Sequence, residues 1–120
     1  MDEKQLQEYC EAWNRHDIEA IMAWMTEDCI FETGGGKELW GTRVTGYEEV
    51  RARFQDVWES LPDIRFDDPR HFIAGDRGCT EWILRGTRPD GTRMEVAGCD
   101  LFTFAGNRIR VKNTFLKNRS

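Results

Sequence analysis

A change of period at Pro62 constrains this chain more than any other feature. Before it, apolar residues recur at helical spacing; after it they alternate, and turn residues cut the alternating stretch into similar lengths. Leu6, Tyr9, Cys10 and Trp13 predict an amphipathic helix over residues 3–14, with Tyr9 on its buried stripe. Asp17 is placed to cap a second, short helix carrying Ile18, Ile21, Met22 and Met25. Thr45 and Glu48 form a capping-box pattern for a third, which turns Val50, Phe54, Val57, Trp58 and Leu61 inward and stops before Pro62. Strands are expected near 64–74, 79–87, 93–104 and 108–117, with a short earlier one at 29–33. Gly75-Asp76-Arg77-Gly78, Pro89-Asp90-Gly91 and Gly106-Asn107 supply the turns between them. Helices first and then an antiparallel meander make one α+β layer, without a repeat or a linker.

Charge and composition narrow the partners. At 120 residues and 39% hydrophobic, the chain can bury roughly two-thirds of its unfolded surface as a single domain spanning residues 1–120. A net charge of −5, with the basic residues scattered, argues against nucleic acid. The absence of a long apolar run or an apolar leader argues against a membrane and for the cytoplasm. Cys10, Cys29, Cys79 and Cys99 lack the paired spacing of zinc or redox motifs, and only His16 and His71 supply imidazoles, so neither a metal nor a cofactor is expected. Gly34-Gly35-Gly36 reads as a flexible loop and matches no phosphate-binding fingerprint.

The chemistry concentrates in Gly98-Cys99-Asp100-Leu101-Phe102-Thr103-Phe104. Strand alternation puts Asp100 on one face with Phe102 and Phe104, and a carboxyl on an aromatic face must either find a donor or keep its proton and donate. Tyr9 is a second polar tip on an apolar stripe, where a phenol is either plain core or a donor to a ligand. Glu81 and Arg85 share one strand face, opposite Trp82 and Leu84, and either form a structural pair or, with that face inside, offer a base. His71 is a lone imidazole with a pKa range suited to proton transfer, or else a histidine bonded to backbone. Asn113 alternates with Ile109, Val111 and Phe115, which makes Asn113 and Phe115 candidates for a pocket and sends Arg108, Arg110 and Lys112 to the other face. Trp13, Phe31, Trp58 and Phe102 are the aromatic lining expected around a small apolar ligand, with Thr33 and Arg85 as polar contacts.

Four stretches carry a family resemblance: Trp13 to Ile21 followed by Thr26 to Glu32, then Gly41 to Val50, and finally Gly98 to Ile109. Together with their spacing they resemble the nuclear transport factor 2-like superfamily, in its SnoaL-like and ketosteroid isomerase-like branches. The resemblance implies a cone-like, strongly curved, mostly antiparallel sheet of cystatin-like kind, covered by the N-terminal helices and closed around a cavity. It also implies a homodimer through the outer face of the sheet, to which Cys99, Leu101 and Thr103 would contribute. Tyr9 falls at the isomerase's oxyanion-binding tyrosine and Asp100 at its hydrogen-bond-donating acid, which predicts a raised pKa for Asp100 and a position near Tyr9. That acid is a worked example of a carboxyl kept neutral by an apolar site. The isomerase's general base is missing, because its position is Thr33 here and the adjacent Glu32 faces the other way. A cofactor-independent isomerase, cyclase or lyase acting on an apolar carbonyl compound would then draw its base from Glu81, His71 or a water held by Thr33. The competing expectation is a noncatalytic ligand-binding or dimerisation module.

Overall fold

The computed structural model describes residues 1–119. Helix α1 (Glu3–Asn14) has the expected bounds, with Leu6, Tyr9, Cys10 and Trp13 buried, and begins with a capping box between Asp2 and Gln5. Asp17 caps α2 (Ile18–Ala23) by accepting from the Ala20 N–H at 3.1 Å. Met25, expected on that helix, instead opens strand β1 (Met25–Glu32), which is longer than the 29–33 segment expected and leaves Thr33 beyond its end.

The capping box anticipated at Thr45 does not form. Thr45 closes a short strand, β2 (Arg43–Thr45), and α3 (Tyr47–Ser60) starts at Gly46, whose φ of 97° is open to glycine and whose helix end has no side-chain cap. Pairing with β1 uses Thr45 as a strand residue, opposite Ile30, and so overrides its local preference. Four long strands follow: β3 (Arg65–Ala74), β4 (Arg77–Thr87), β5 (Arg93–Ala105) and β6 (Arg108–Leu116).

These six strands form one curved, unclosed sheet in the order β2-β1-β6-β5-β4-β3. Every pairing is antiparallel except β1 with β6, which sets the last strand beside the first, inside the sheet. Helix α1 lies over β3 and α3 over β1, with α2 between the two helices. Their apolar stripes meet the inner face of the sheet around Phe54, Phe102, Leu6, Ile21 and Met22, all fully buried.

Two local features of the sheet position the site. At Gly98 an added Cβ would lie 2.7 Å from the Trp82 ring, so this glycine lets the indole lie flat across β5. In β6, Thr103 pairs with Val111 while Phe104 pairs with Ile109, so Arg110 is an extra residue in a β-bulge. The bulge inverts the alternation expected for this strand. Ile109 points inward, but past Arg110 it is Lys112 and Thr114 that do so, while Asn113 sits beside Leu101 in the outer row and Phe115 is 49% exposed. The placement of Asn113 and Phe115 on the pocket face, and of Lys112 on the basic face, is thereby corrected.

Candidate functional site

Alternation along β4 and β5 brings Thr80, Trp82, Asp100 and Phe102 onto the inner face, and the bulged β6 adds Lys112 and Thr114 beside them. Asp100 is the hub. Its Oδ2 lies 2.8 Å from Lys112 Nζ and accepts from Trp82 Nε1 at 3.0 Å, and its Oδ1 accepts from the Thr114 hydroxyl at 2.6 Å. The Asp100 and Lys112 side chains are only 6% and 4% exposed. A buried ion pair of this kind needs its other polar atoms satisfied, and Trp82 and Thr114 do that for the carboxylate. Asp100 is consequently an acceptor in this arrangement. The donor of the pair is Lys112.

The Lys112 ammonium is also surrounded by rings, with centroids at 5.3 Å (Trp13), 5.7 Å (Phe31) and 6.0 Å (Phe102). Tyr9 lies in the same space, edge-on to Phe102 with centroids 5.9 Å apart, and its hydroxyl reaches Met25 Sδ at 3.6 Å rather than Asp100. Burial pushes the Tyr9 phenol well above its ordinary value. The Trp13 indole N–H, close to the phenol oxygen yet outside hydrogen-bond geometry, opposes that shift and is itself buried without a partner. Tyr9 therefore stays a protonated donor. Burial, reinforced by the Asp100 charge, lifts the neighbouring Cys10 thiol to about 11, which leaves it un-ionised and a poor nucleophile at neutral pH.

Two spaces that share lining residues adjoin this cluster. The inner one, bounded by Tyr9, Trp13, Thr80, Asp100 and Lys112, leaves about 10 Å³, room for one water. The outer one is a cleft of about 200 Å³ bordered by Phe31, Thr33, Val57, Leu84, Thr114 and Arg53. Trp13, Phe66, Trp82 and Lys112 line both, so Lys112 stands at the junction. At 200 Å³ the cleft falls below the roughly 300–1,000 Å³ common for drug-sized ligands.

The residues singled out from the sequence divide into three groups. Tyr9, Trp13, Asp100 and Phe102 converge on the inner space, and Phe31 and Thr33 border the outer cleft. The Thr33 hydroxyl is occupied locally, donating to Gly35 O at 2.7 Å and accepting from Thr42 N–H at 2.9 Å, which leaves little capacity to hold a reacting water. His71 and Trp58 stand one layer back. His71 donates from Nε2 to Gln7 Oε1 at 2.7 Å and accepts at Nδ1 from the Thr80 hydroxyl at 2.8 Å. Trp58 stacks on His16 and packs on Trp13. Glu81, Arg85, Asn113 and Phe115 lie on the outer face. Arg85 binds Asp67 at 3.1 Å and Glu95 at 2.9 Å, not Glu81, because those two carboxylates lie beside it on the flanking strands.

Trp82, Lys112 and Thr114 were not singled out. Trp82 and Thr114 are legible once the face of β4 and the parity of β6 are known; Lys112 carried no signal, since an unbroken alternation points it outward. Among the described residues no three His, Cys, Asp or Glu side chains converge as metal ligands do.

The model of the SnoaL-like domain matches residues 6–111 of this chain. The chain belongs to that family. No curated protein matches the sequence of this SnoaL-like domain, but solved structures share its fold. A protein described as a candidate polyketide cyclase from Xanthomonas campestris superposes with a TM-score of 0.84 at 21% identity, over 95% of this chain and 88% of that one. A cystatin-like protein of unknown function from Xanthomonas campestris gives 0.84 at 16% identity, over 96% and 89%. A protein with a ketosteroid isomerase-like fold from Catenulispora acidiphila, in complex with trimethylamine, gives 0.82 at 16% identity, over 96% and 86%. The nuclear transport factor 2-like resemblance and the α+β architecture expected from the sequence are thus both met.

Proposed function

We propose that this SnoaL-like domain binds a small, neutral, ring-containing carbonyl compound in the cleft between α3 and the sheet, with the carbonyl oxygen accepting from Lys112. The observation that carries the reading is a buried ammonium, framed by aromatic rings and held by Asp100, at the junction of the cleft and the water-sized void. The rings supply flat apolar contact. The Lys112–Asp100 pair supplies a fixed dipole whose positive end meets a carbonyl oxygen and stabilises negative charge developing there, a contribution to isomerase, cyclase or lyase chemistry that needs no cofactor. A polyketide cyclase assignment for one structural relative and a trimethylamine complex in another support a small organic occupant for this fold. An amine cation fits this chain less well, since it would face the Lys112 ammonium.

A thermal-shift panel of cyclic ketones, aromatic aldehydes, phenols, carboxylates, phosphate esters and trimethylamine tests the reading. Cyclic ketones and aromatic aldehydes should raise Tm in the wild type and lose most of that effect in Lys112→Met, while Tyr9→Phe changes it less. Stabilisation by phosphate esters alone, indifferent to Lys112, would place the site elsewhere. Binding of a ketone that is never turned over would favour the noncatalytic module.

A homodimer through the outer face is part of the same reading. That face shows Phe72 at 55% and Phe115 at 49% exposure, with Ile83, Leu101 and Val111 half-covered between them, and a two-fold axis lets one such patch cover itself.

A further inference from the structure

We infer that Lys112 is a nucleophile that captures the carbonyl ligand as an iminium, with Asp100 as proton acceptor and counter-ion. The inference rests on the binding reading above and adds a covalent step to it. An ammonium has three N–H donors, and among the described residues the only protein partner recorded for Lys112 is Asp100 Oδ2 at 2.8 Å. The other donors of a side chain 4% exposed are left for whatever enters the cleft. A lysine amine desolvated by apolar walls is the kind that condenses with carbonyls, and the walls here are Trp13, Phe31 and Phe102. Trp82 and Thr114 pin the carboxylate so that Oδ2 stays on the ammonium.

The step closes without an outside reactant. Asp100 takes one proton from the ammonium, and the freed lone pair forms a C–N bond as the carbonyl π pair moves onto oxygen. A nitrogen proton and the proton on Asp100 then pass to that oxygen. The C–O bond breaks, water leaves, and the nitrogen lone pair completes C=N⁺. Ammonium plus carbonyl has become iminium plus water, the charge is unchanged, and Asp100 again faces a cation. The inner void beside Lys112 and Asp100 has room for the one water released.

Benzaldehyde with sodium cyanoborohydride tests this on the full chain, because reduction fixes an iminium as a stable secondary amine. Lys4, Lys37 and Lys117 are exposed and serve as internal controls. Peptide mapping should find the label, the probe's mass less its oxygen, on Lys112 at least about tenfold ahead of those three. Lys112→Arg, which keeps a cation opposite Asp100, should abolish only that label, and Asp100→Asn should slow it without changing the controls. If a variant fails to fold, the wild-type map still decides. Should benzaldehyde raise Tm yet label only the exposed lysines, the iminium is overturned and the binding reading stands. No Tm shift and no label on Lys112 would overturn both.

Discussion

Asp100 shows how one neighbour reverses the role of a residue. On an aromatic strand face a carboxyl has two ways to survive burial, keeping its proton or finding a cation, and the choice turns on whether a cation can reach it. Lys112 reaches it at 2.8 Å. The pair is costly to break from one side only. Lys112→Met should destabilise the fold by about 3–5 kcal/mol, because it leaves Asp100 buried and unpaired. Adding Asp100→Asn should recover most of that loss, since the neutral amide oxygen can still accept from Trp82 while its NH2 donates to the Thr114 hydroxyl oxygen, in place of the two carboxylate oxygens that serve those donors now. Urea unfolding of the two single variants and the double variant measures the coupling; a double variant as unstable as the sum of the singles would show that the pair contributes no mutual stabilisation.

Between elements, one pH-sensitive contact is His71, which ties β3 to α1 through Gln7 and to β4 through Thr80. Burial holds its pKa below the usual value, with the Glu3 charge opposing. The folded state therefore binds this proton less readily than the unfolded chain does. His71 contributes stability that is present above about pH 6.5 and is lost as pH falls through its folded value. Urea midpoints followed from neutral pH down to about 5 should decline, and His71→Gln should flatten that decline. An unchanged slope in the variant would assign the loss to other groups. The β6 bulge acts at the same scale: one extra residue, Arg110, decides that Lys112 rather than Asn113 faces the cavity.

For the molecule as a whole, the sheet has a covered inner face and a bare outer one. The helices protect the first; Phe72, Phe115 and the half-covered Ile83, Leu101 and Val111 give the second an exposed apolar strip within one chain. Sedimentation at micromolar concentration should find a dimer, and Leu101→Lys combined with Phe115→Glu should give a monomer that still binds the same ketone. A wild-type chain sedimenting as a monomer would remove the proposed dimer and leave the cleft, which one chain completes by itself.

Periodicity alone determined the all-strand stretch after Pro62, the bounds of α1, the burial of Tyr9 and Trp13, and the inward turn of Asp100 with Phe102, because these follow from 3.6- and 2-residue repeats within one element. Family likeness in the sequence extended this to the curved sheet and its covering helices. Tertiary structure decided the rest, where pairing between distant segments overrides local preference. Thr45 became a strand residue because β1 was there to pair with it, and Met25 left its helix to open that strand. Trp82 could be placed inside only once β4 lay between β3 and β5, and its indole could reach Asp100 only across the side-chain-free Gly98. A bulge is a property of two strands in register, not of either sequence. That is why the inward turn of Lys112 was invisible until β5 and β6 were laid side by side.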